Sequence, residues 1–354
     1  MGTVDTLIKK RELPELLRFE DGSPVTRGGW EKRRAELVEI LCREVYGVAP
    51  PAPDEVTVTE VKRKEKDYAG KGRTRELTLS FDTDKGEFAF PVTEVVPTDG
   101  ENVPMFVMLN FRPDVPDRYL PVEEILDAGC GFIRIYYNDV AFDGEDHFEG
   151  GLAAMYDREK YNWGKIRMWA FAASRVMDYL QTADYADKRR IAVVGHSRLG
   201  KTALLTAATD PRFALACANN SGCAGDAITR QKEGEHVKEI YKRFPYWFCE
   251  KYGTYAEKED QMPFDQHFLV AAIAPRRVAL GAALEDVWAD PASQYLSAVA
   301  ASPAWTLLGK KGFVHPDRMP VSGDCFDAGH VAYHLREGTH FFSRTDWRRY
   351  LCLI

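Results

Sequence analysis

The chain has 354 residues, 45% hydrophobic, 12% aromatic and 29% charged, with 54 acidic against 47 basic residues and a net charge of −7. That length supports a substantial core without staples, and the composition excludes a disordered chain. The acidic balance leaves no electrostatic footprint for nucleic acid or an anionic membrane, so neither is an expected partner.

The N-terminal stretch Met1 to Leu17 has no apolar h-region and no small-residue cleavage site. No run elsewhere approaches the roughly 18 apolar residues of a membrane span. A soluble chain is expected, cytoplasmic as it stands and secreted if a signal has been removed. Seven scattered cysteines without a C-x-x-C pair point to a reducing compartment and away from a disulfide framework or zinc site. No metal or other cofactor is expected.

Apolar residues Trp30, Ala35, Leu37, Ile40 and Leu41 recur at helical spacing, predicting a helix over 28–45 that stops at the Pro-rich YGVAPPAP. Alternating or β-branched segments at 55–62, 74–81 and 88–96 predict an antiparallel lead-in. From Pro104 onward the pattern changes. Apolar runs at 105–109, 131–137, 191–194, 214–218, 277–284 and 304–308 read as buried strands, with helices at 163–179 and 199–208 between them. Strands alternating with helices predict βαβ units and a mostly parallel sheet. The economical reading is one α/β domain over 1–354: a helical extension (1–50), the antiparallel lead-in (51–100) and a core (101–354).

The most informative segment is IAVVGHSRLGKT, an apolar strand running through a Gly-flanked turn into a helix. Gly195 to Thr202 matches the phosphate-binding pattern G-x-x-x-x-G-K-[ST]. It is also close to a nucleophile elbow with Ser197 at the sharp turn, although Leu199 stands at the second glycine position of G-x-S-x-G and Gly200 follows one residue later. A phosphate loop normally follows an early strand, whereas this one comes after more than half the chain. An elbow serine is followed by an acid and then a histidine. The sequence supplies both: Glu285 and Asp286 at the exit of a predicted strand, then the loop from His334 to His340 before the last helix. A serine hydroxyl needs an imidazole to take its proton, the imidazole needs a carboxylate, and the oxyanion needs a donor such as the Arg198 N–H.

Other residues have plainer readings. His330 and His334 have metal-ligand spacing but no third ligand cluster, and read as ordinary histidines near a strand. His196 points away from the nucleophile by strand alternation. His267 reads as structural, bracing the site from a helix. Trp163, Trp169 and Trp347 read as packing. Lys201, a cation near a helix N-terminus, asks for an anionic or hydroxyl-rich partner.

The segments GHSRLGKTAL, NNSGCAGDA, GE with RFPYWF, PFDQHFLVAAIAPRR, EDVWADP and YHLREGTHFFSRTDW, in that order, resemble the glucuronoyl esterases of carbohydrate esterase family 15 and their bacterial acetyl xylan esterase-like relatives. The likeness of these motifs begins near Pro104. It implies a metal-free α/β-hydrolase, a three-layer sandwich with a mostly parallel sheet and N-terminal antiparallel strands. The implied reaction is hydrolysis of a carbohydrate ester: the ester of a xylan-borne glucuronic acid, with acetyl esters as the alternative. By the resemblance Ser197 is the nucleophile, His340 the general base and Arg198 the oxyanion-stabilising arginine. Lys201, Glu235 and Trp288 are the sugar contacts. Many members carry a glutamate where this chain has Asn220, so the acid falls to Asp286, with Glu285 as the close alternative.

Overall fold

The computed structural model describes residues 4–354; the first three residues of the N-terminal reading lie outside them. Ten strands are present: β1 (Thr57–Asp67), β2 (Gly72–Thr83), β3 (Gly86–Pro97), β4 (Val103–Asn110), β5 (Gly131–Tyr136), β6 (Ala186–His196), β7 (Leu215–Asn219), β8 (Arg277–Ala283), β9 (Cys325–Phe326) and β10 (Val331–Arg336). They form one sheet in the order β1-β2-β3-β5-β4-β6-β7-β8-β10-β9. From β5 to β10 neighbouring strands are parallel, whereas β1, β2 and β3 join antiparallel on one side and β9 on the other.

Side chains alternate across this sheet, and both faces are covered, which is why the core strands read as continuous apolar runs. Met105, Val107, Ile133, Val193 and Leu280 face the larger core, packed with the helices Trp30–Leu41, Lys165–Thr182, Arg198–Thr209 and His267–Ala271. Phe106, Met108, Phe132, Val194 and Ala279 face a smaller core under Val122–Asp127 and Arg344–Leu351. The result is a three-layer α/β-hydrolase fold. Trp163, Trp169 and Trp347 are buried within it.

The predicted helix over 28–45 is a 3-10 turn, an α-helix to Leu41 and a π-turn over Cys42–Tyr46. One predicted strand is wrong. The run at 304–308 forms the helix Pro303–Leu307, with Pro303 in its first turn and Trp305 buried. Five apolar residues carry too little periodicity to separate a buried strand from a buried helix, and a proline at the first helical position is the better signal. The converse miss is β10, which contains His334 and was read only as the neighbourhood of a strand.

Burying His334 and Arg336 in β10 requires a partner, and Asp346 in the last helix provides it. Its carboxylate accepts from His334 Nε2 (2.8 Å) and Arg336 Nε (2.9 Å), and caps its own helix through Ser343 N (2.7 Å). Burial alone would raise this carboxyl, but the His334 bond and the Arg336 charge hold it below the usual range. The joint fixes both ends of the loop that carries His340. Replacing Asp346 with Ala strands two polar groups in a buried place and should lower stability by about 3–5 kcal/mol. Urea unfolding measures it, and a loss below about 1 kcal/mol would mean that water takes over the carboxylate's bonds.

Candidate active site

In an open parallel sheet ligands bind beyond the carboxyl ends of the strands. Here the segments following β6, β7, β8 and β10 carry Ser197, Asn220, Asp286 and His340. Ser197 is the single residue between β6 and the helix Arg198–Thr209, with φ 58° and ψ −126°. A left-handed φ on a non-glycine residue marks strain held by its surroundings. Here Ser197 N donates to Asn219 O (2.8 Å) while Ser197 O accepts from Gly200 N (2.9 Å). A Cβ at Gly195 would collide with the Leu199 carbonyl, and one at Gly200 would press on Ser221 Cβ at 3.0 Å. The spacing that departs from G-x-S-x-G thus still puts glycines where backbones approach.

The imidazole of His340 donates from Nδ1 to Asp286 Oδ2 (2.7 Å), leaving Nε2 as the acceptor nitrogen. Asn220 Nδ2 donates to that same Oδ2 (2.6 Å). Asp286 is buried, which by itself raises its pKa; the bonds from His340 and Asn220 outweigh this and keep it below the usual carboxylate range. Glu285 is exposed, tied to the His340 loop only by its backbone N–H to Gly338 O (3.0 Å). The carboxylate that reaches His340 is therefore Asp286.

Ser197, Arg198, Lys201, Glu235, Asp286, Trp288 and His340 line one cleft of about 220 Å³. The Arg198 guanidinium is paired with Asp143 and stacked on Trp247, 4.5 Å from its ring centre. Asp143 is fixed in turn by Trp247 Nε1 (2.7 Å) and Tyr137 OH (2.9 Å). Lys201 is buried, which lowers its pKa, and its Nζ donates to the Ser221 carbonyl while facing the charges of Glu235 and Asp226. Trp288 is 50% exposed, an open ring at the rim rather than core. Glu235 is half-buried, held by its N–H to Trp288 O (3.0 Å).

Other readings need correction. A phosphate cradle requires several successive backbone amides around the anion; a one-residue elbow offers no such loop, and the Lys201 Nζ is engaged by the Ser221 carbonyl. His196 takes a packed, hydrogen-bonded place: its Nδ1 is bound to Asn219 Oδ1 (2.7 Å), burial holds its pKa down to about 3, and its ring centre lies 4.5 Å from that of His340 as a neutral neighbour. His267 braces the N-terminal segment, not the site, through Nε2 and Pro14 O (3.0 Å). His330 and His334 are engaged separately, with Lys311 O (3.1 Å) and Asp346. Among the described residues no group of three or more His, Cys, Asp or Glu is arranged to hold a metal, and no helix is long and apolar enough to cross a membrane.

Sequence reasoning missed Asp143, Trp247 and Phe244 as cleft supports. Trp247 and Phe244 lie in the quoted RFPYWF segment, an available signal, whereas Asp143 sits among Asp139, Glu145 and Asp146 with nothing to single it out.

A serine on a strained strand-to-helix elbow, sharing a cleft with a histidine bonded to a buried carboxylate, is the arrangement of an α/β-hydrolase serine esterase. The family described as "Glucuronyl esterase, fungi" matches residues 80–309. Carbohydrate esterase MZ0003, from an unknown prokaryotic organism, is 33% identical over 97% of this chain and 89% of its own length. The structure of a glucuronoyl esterase from Solibacter usitatus superposes with a TM-score of 0.89 at 32% identity, covering 96% of each chain. A 4-O-methyl-glucuronoyl methylesterase of Schizophyllum commune is 27% identical over 84% of this chain and 74% of its own. The chain belongs to the glucuronoyl esterase family and is a carboxylic ester hydrolase. The likeness also takes in the N-terminal region that the motifs had left out.

Because the folded-state pKa of Asp286 lies below its unfolded value, its ionised form stabilises the fold at neutral pH, and that contribution is lost as pH falls through the carboxylate range. Asp286→Asn should therefore lose less stability than the parent between about pH 7 and about pH 3. Urea midpoints across that range decide it; parallel curves would remove the depressed pKa from the account.

Proposed function

We propose that the protein hydrolyses 4-O-methyl-glucuronoyl esters of xylan through an acyl-enzyme, with Ser197 as nucleophile, His340 as general base and Asp286 as the triad acid. The observation that carries this reading is the His340 to Asp286 bond at 2.7 Å, in a cleft shared by Ser197 and the sugar-binding candidates. Ser197 Oγ attacks the ester carbonyl as His340 Nε2 takes its proton, and Asp286 stabilises the imidazolium. The Arg198 backbone N–H, unpartnered at the first turn of its helix, faces the developing oxyanion, and its locked guanidinium adds positive charge without reorganisation. The alcohol leaves with the proton from His340, and water then cleaves the acyl-enzyme by the same route reversed.

Lys201, Glu235 and Trp288 favour a sugar on the acyl side of the scissile bond, with polar groups for its hydroxyls and a ring for its face. An acetyl ester brings no sugar to that side and leaves those three residues unused. The relatives named 4-O-methyl-glucuronoyl methylesterases support the same choice. Residues 1–50 and 51–100 belong in this reading to the same domain as the core over 101–354, because the helix Trp30–Leu41 packs into the larger core and β3 pairs directly with β5.

Ser197→Ala should cut hydrolysis of a methyl glucuronate ester by at least about 10⁴-fold, and Asp286→Asn by about 10³–10⁴-fold, with the fold intact by circular dichroism. Lys201→Ala should raise KM for the glucuronate ester about tenfold and leave acetylated xylo-oligosaccharide turnover unchanged. Turnover by the Ser197→Ala protein would refute the mechanism, and equal loss on both esters would refute the acyl-side assignment.

A further inference from the structure

Beyond the catalytic cleft, a cavity of about 480 Å³ opens on the sheet between the β1–β2 ribbon and the loop from Pro113 to Val115. Its walls include Lys62, Lys64, Thr74, Thr78 and Thr93, and Arg134 of β5 also lines it. Arg134 is 7% exposed. Its guanidinium donates to Thr93 Oγ1 (2.6 Å), while its Nε is buried without a hydrogen-bond partner. The acidic groups facing it are Asp139, Asp114, Asp117 and Glu76. Glu76 is paired with Lys62 (3.9 Å) and Asp117 with Arg112 (3.6 Å). Among the described residues no carboxylate forms an ion pair with Arg134.

A buried cation without a paired anion costs several kcal/mol unless something else satisfies it. The guanidinium is a planar fork shaped for two-point capture of a carboxylate. Around it the cavity is lined by Thr78, by Lys62 and Lys64 paired with Glu76 (3.9 Å) and Asp67 (3.6 Å), by Thr74 donating to Asp67 (2.9 Å), and by Asp114, a mixed polar wall of the kind that meets sugar hydroxyls. Beyond Val115 the same loop reaches Tyr119, whose ring lies 5.0 Å from that of Phe341, the residue after His340. One loop thus separates this cavity from the catalytic histidine.

We propose that this cavity is a second binding site, in which Arg134 receives the free carboxylate of a uronic acid side chain on the polymer whose esters the catalytic cleft cleaves. The inference rests on the glucuronoyl ester reading for the identity of the polymer. A xylan chain carries free as well as esterified uronates, so a site for the free acid holds the chain while an ester enters the cleft.

The test uses the full-length Ser197→Ala protein and follows backbone amide shifts at Thr93 and Arg134 while sodium glucuronate, inorganic phosphate or neutral xylotriose is added. Saturable shifts with glucuronate, absent with phosphate and xylotriose, are expected. Arg134→Gln should weaken them at least about tenfold, and Lys64→Glu, on the exposed edge strand, should weaken them in a protein whose core is untouched. In the active protein Arg134→Gln should leave methyl glucuronate ester turnover unchanged and raise KM for polymeric glucuronoxylan. Absent shifts, equal shifts with phosphate or xylotriose, or indifference to both substitutions would overturn the proposal. Ester hydrolysis surviving in Ser197→Ala would instead overturn the catalytic reading, so the two failures are separable.

Discussion

One oxygen atom, Asp286 Oδ2, ties together the three segments that follow β7, β8 and β10. It accepts from Asn220 and from His340, and so fixes the imidazole that stands over the elbow after β6. Burying a carboxylate is unfavourable; two short bonds to one oxygen, one of them charge-assisted when His340 is protonated, offset that cost. Asn220 is what makes this arrangement possible. A glutamate at that position would place a second anion beside Asp286 and raise the pKa of one of them, whereas the amide donates. Asn220 thus supports a carboxylate supplied from the segment after the next strand, the acid of the proposed triad.

The arginine beside the nucleophile is held just as firmly from the other direction. Asp143 neutralises it, Trp247 stacks on it and Tyr137 fixes Asp143. In the proposed mechanism a free arginine side chain would have to settle around the oxyanion during the reaction; this one is already held in place, which is where electrostatic catalysis gains most. Beneath it Asp226, raised to about 6 by burial against its bonds from Ser221 and Gln294, anchors the wall formed by Ser221 and Gly222. The charged groups Arg198, Lys201 and Asp286 of the cleft are thus bound to other charged or polar groups before any substrate arrives.

How much of this the sequence discloses depends on the range of each interaction. Strand and helix periodicity is local, so most of the sheet and its flanking helices were legible, except where five apolar residues at 304–308 carried too little pattern and at β10 and the two-residue β9. The elbow was legible because its chemistry is contained in six consecutive residues. Choosing Asp286 over Glu285 was not, since the two are adjacent and only the three-dimensional path of the His340 loop distinguishes them. Asp143 was out of reach for the same reason, as was the approach of His196 to the His340 ring, because alternation fixes a face of the sheet, not the distance to a ring arriving from another loop.

The charge arithmetic of the whole chain bears on turnover. Hydrolysis turns a neutral ester into a carboxylate in a cleft containing Arg198 and Lys201, and two unpaired cations there would hold the product. Arg198 is ion-paired with Asp143, and Lys201, though in no ion pair among the described residues, faces the charges of Glu235 and Asp226. The cleft thus presents oriented donors with little net positive charge, enough for an oxyanion that exists transiently at close range. A protein of net charge −7 adds a mild repulsion for the departing acid. Arg134 differs from Arg198 within the same molecule: acidic groups face it, but among the described residues none forms an ion pair with it. The Asp143 pairing of Arg198 suits release of the anion that the reaction makes, whereas an arginine without an ion pair suits retention of one.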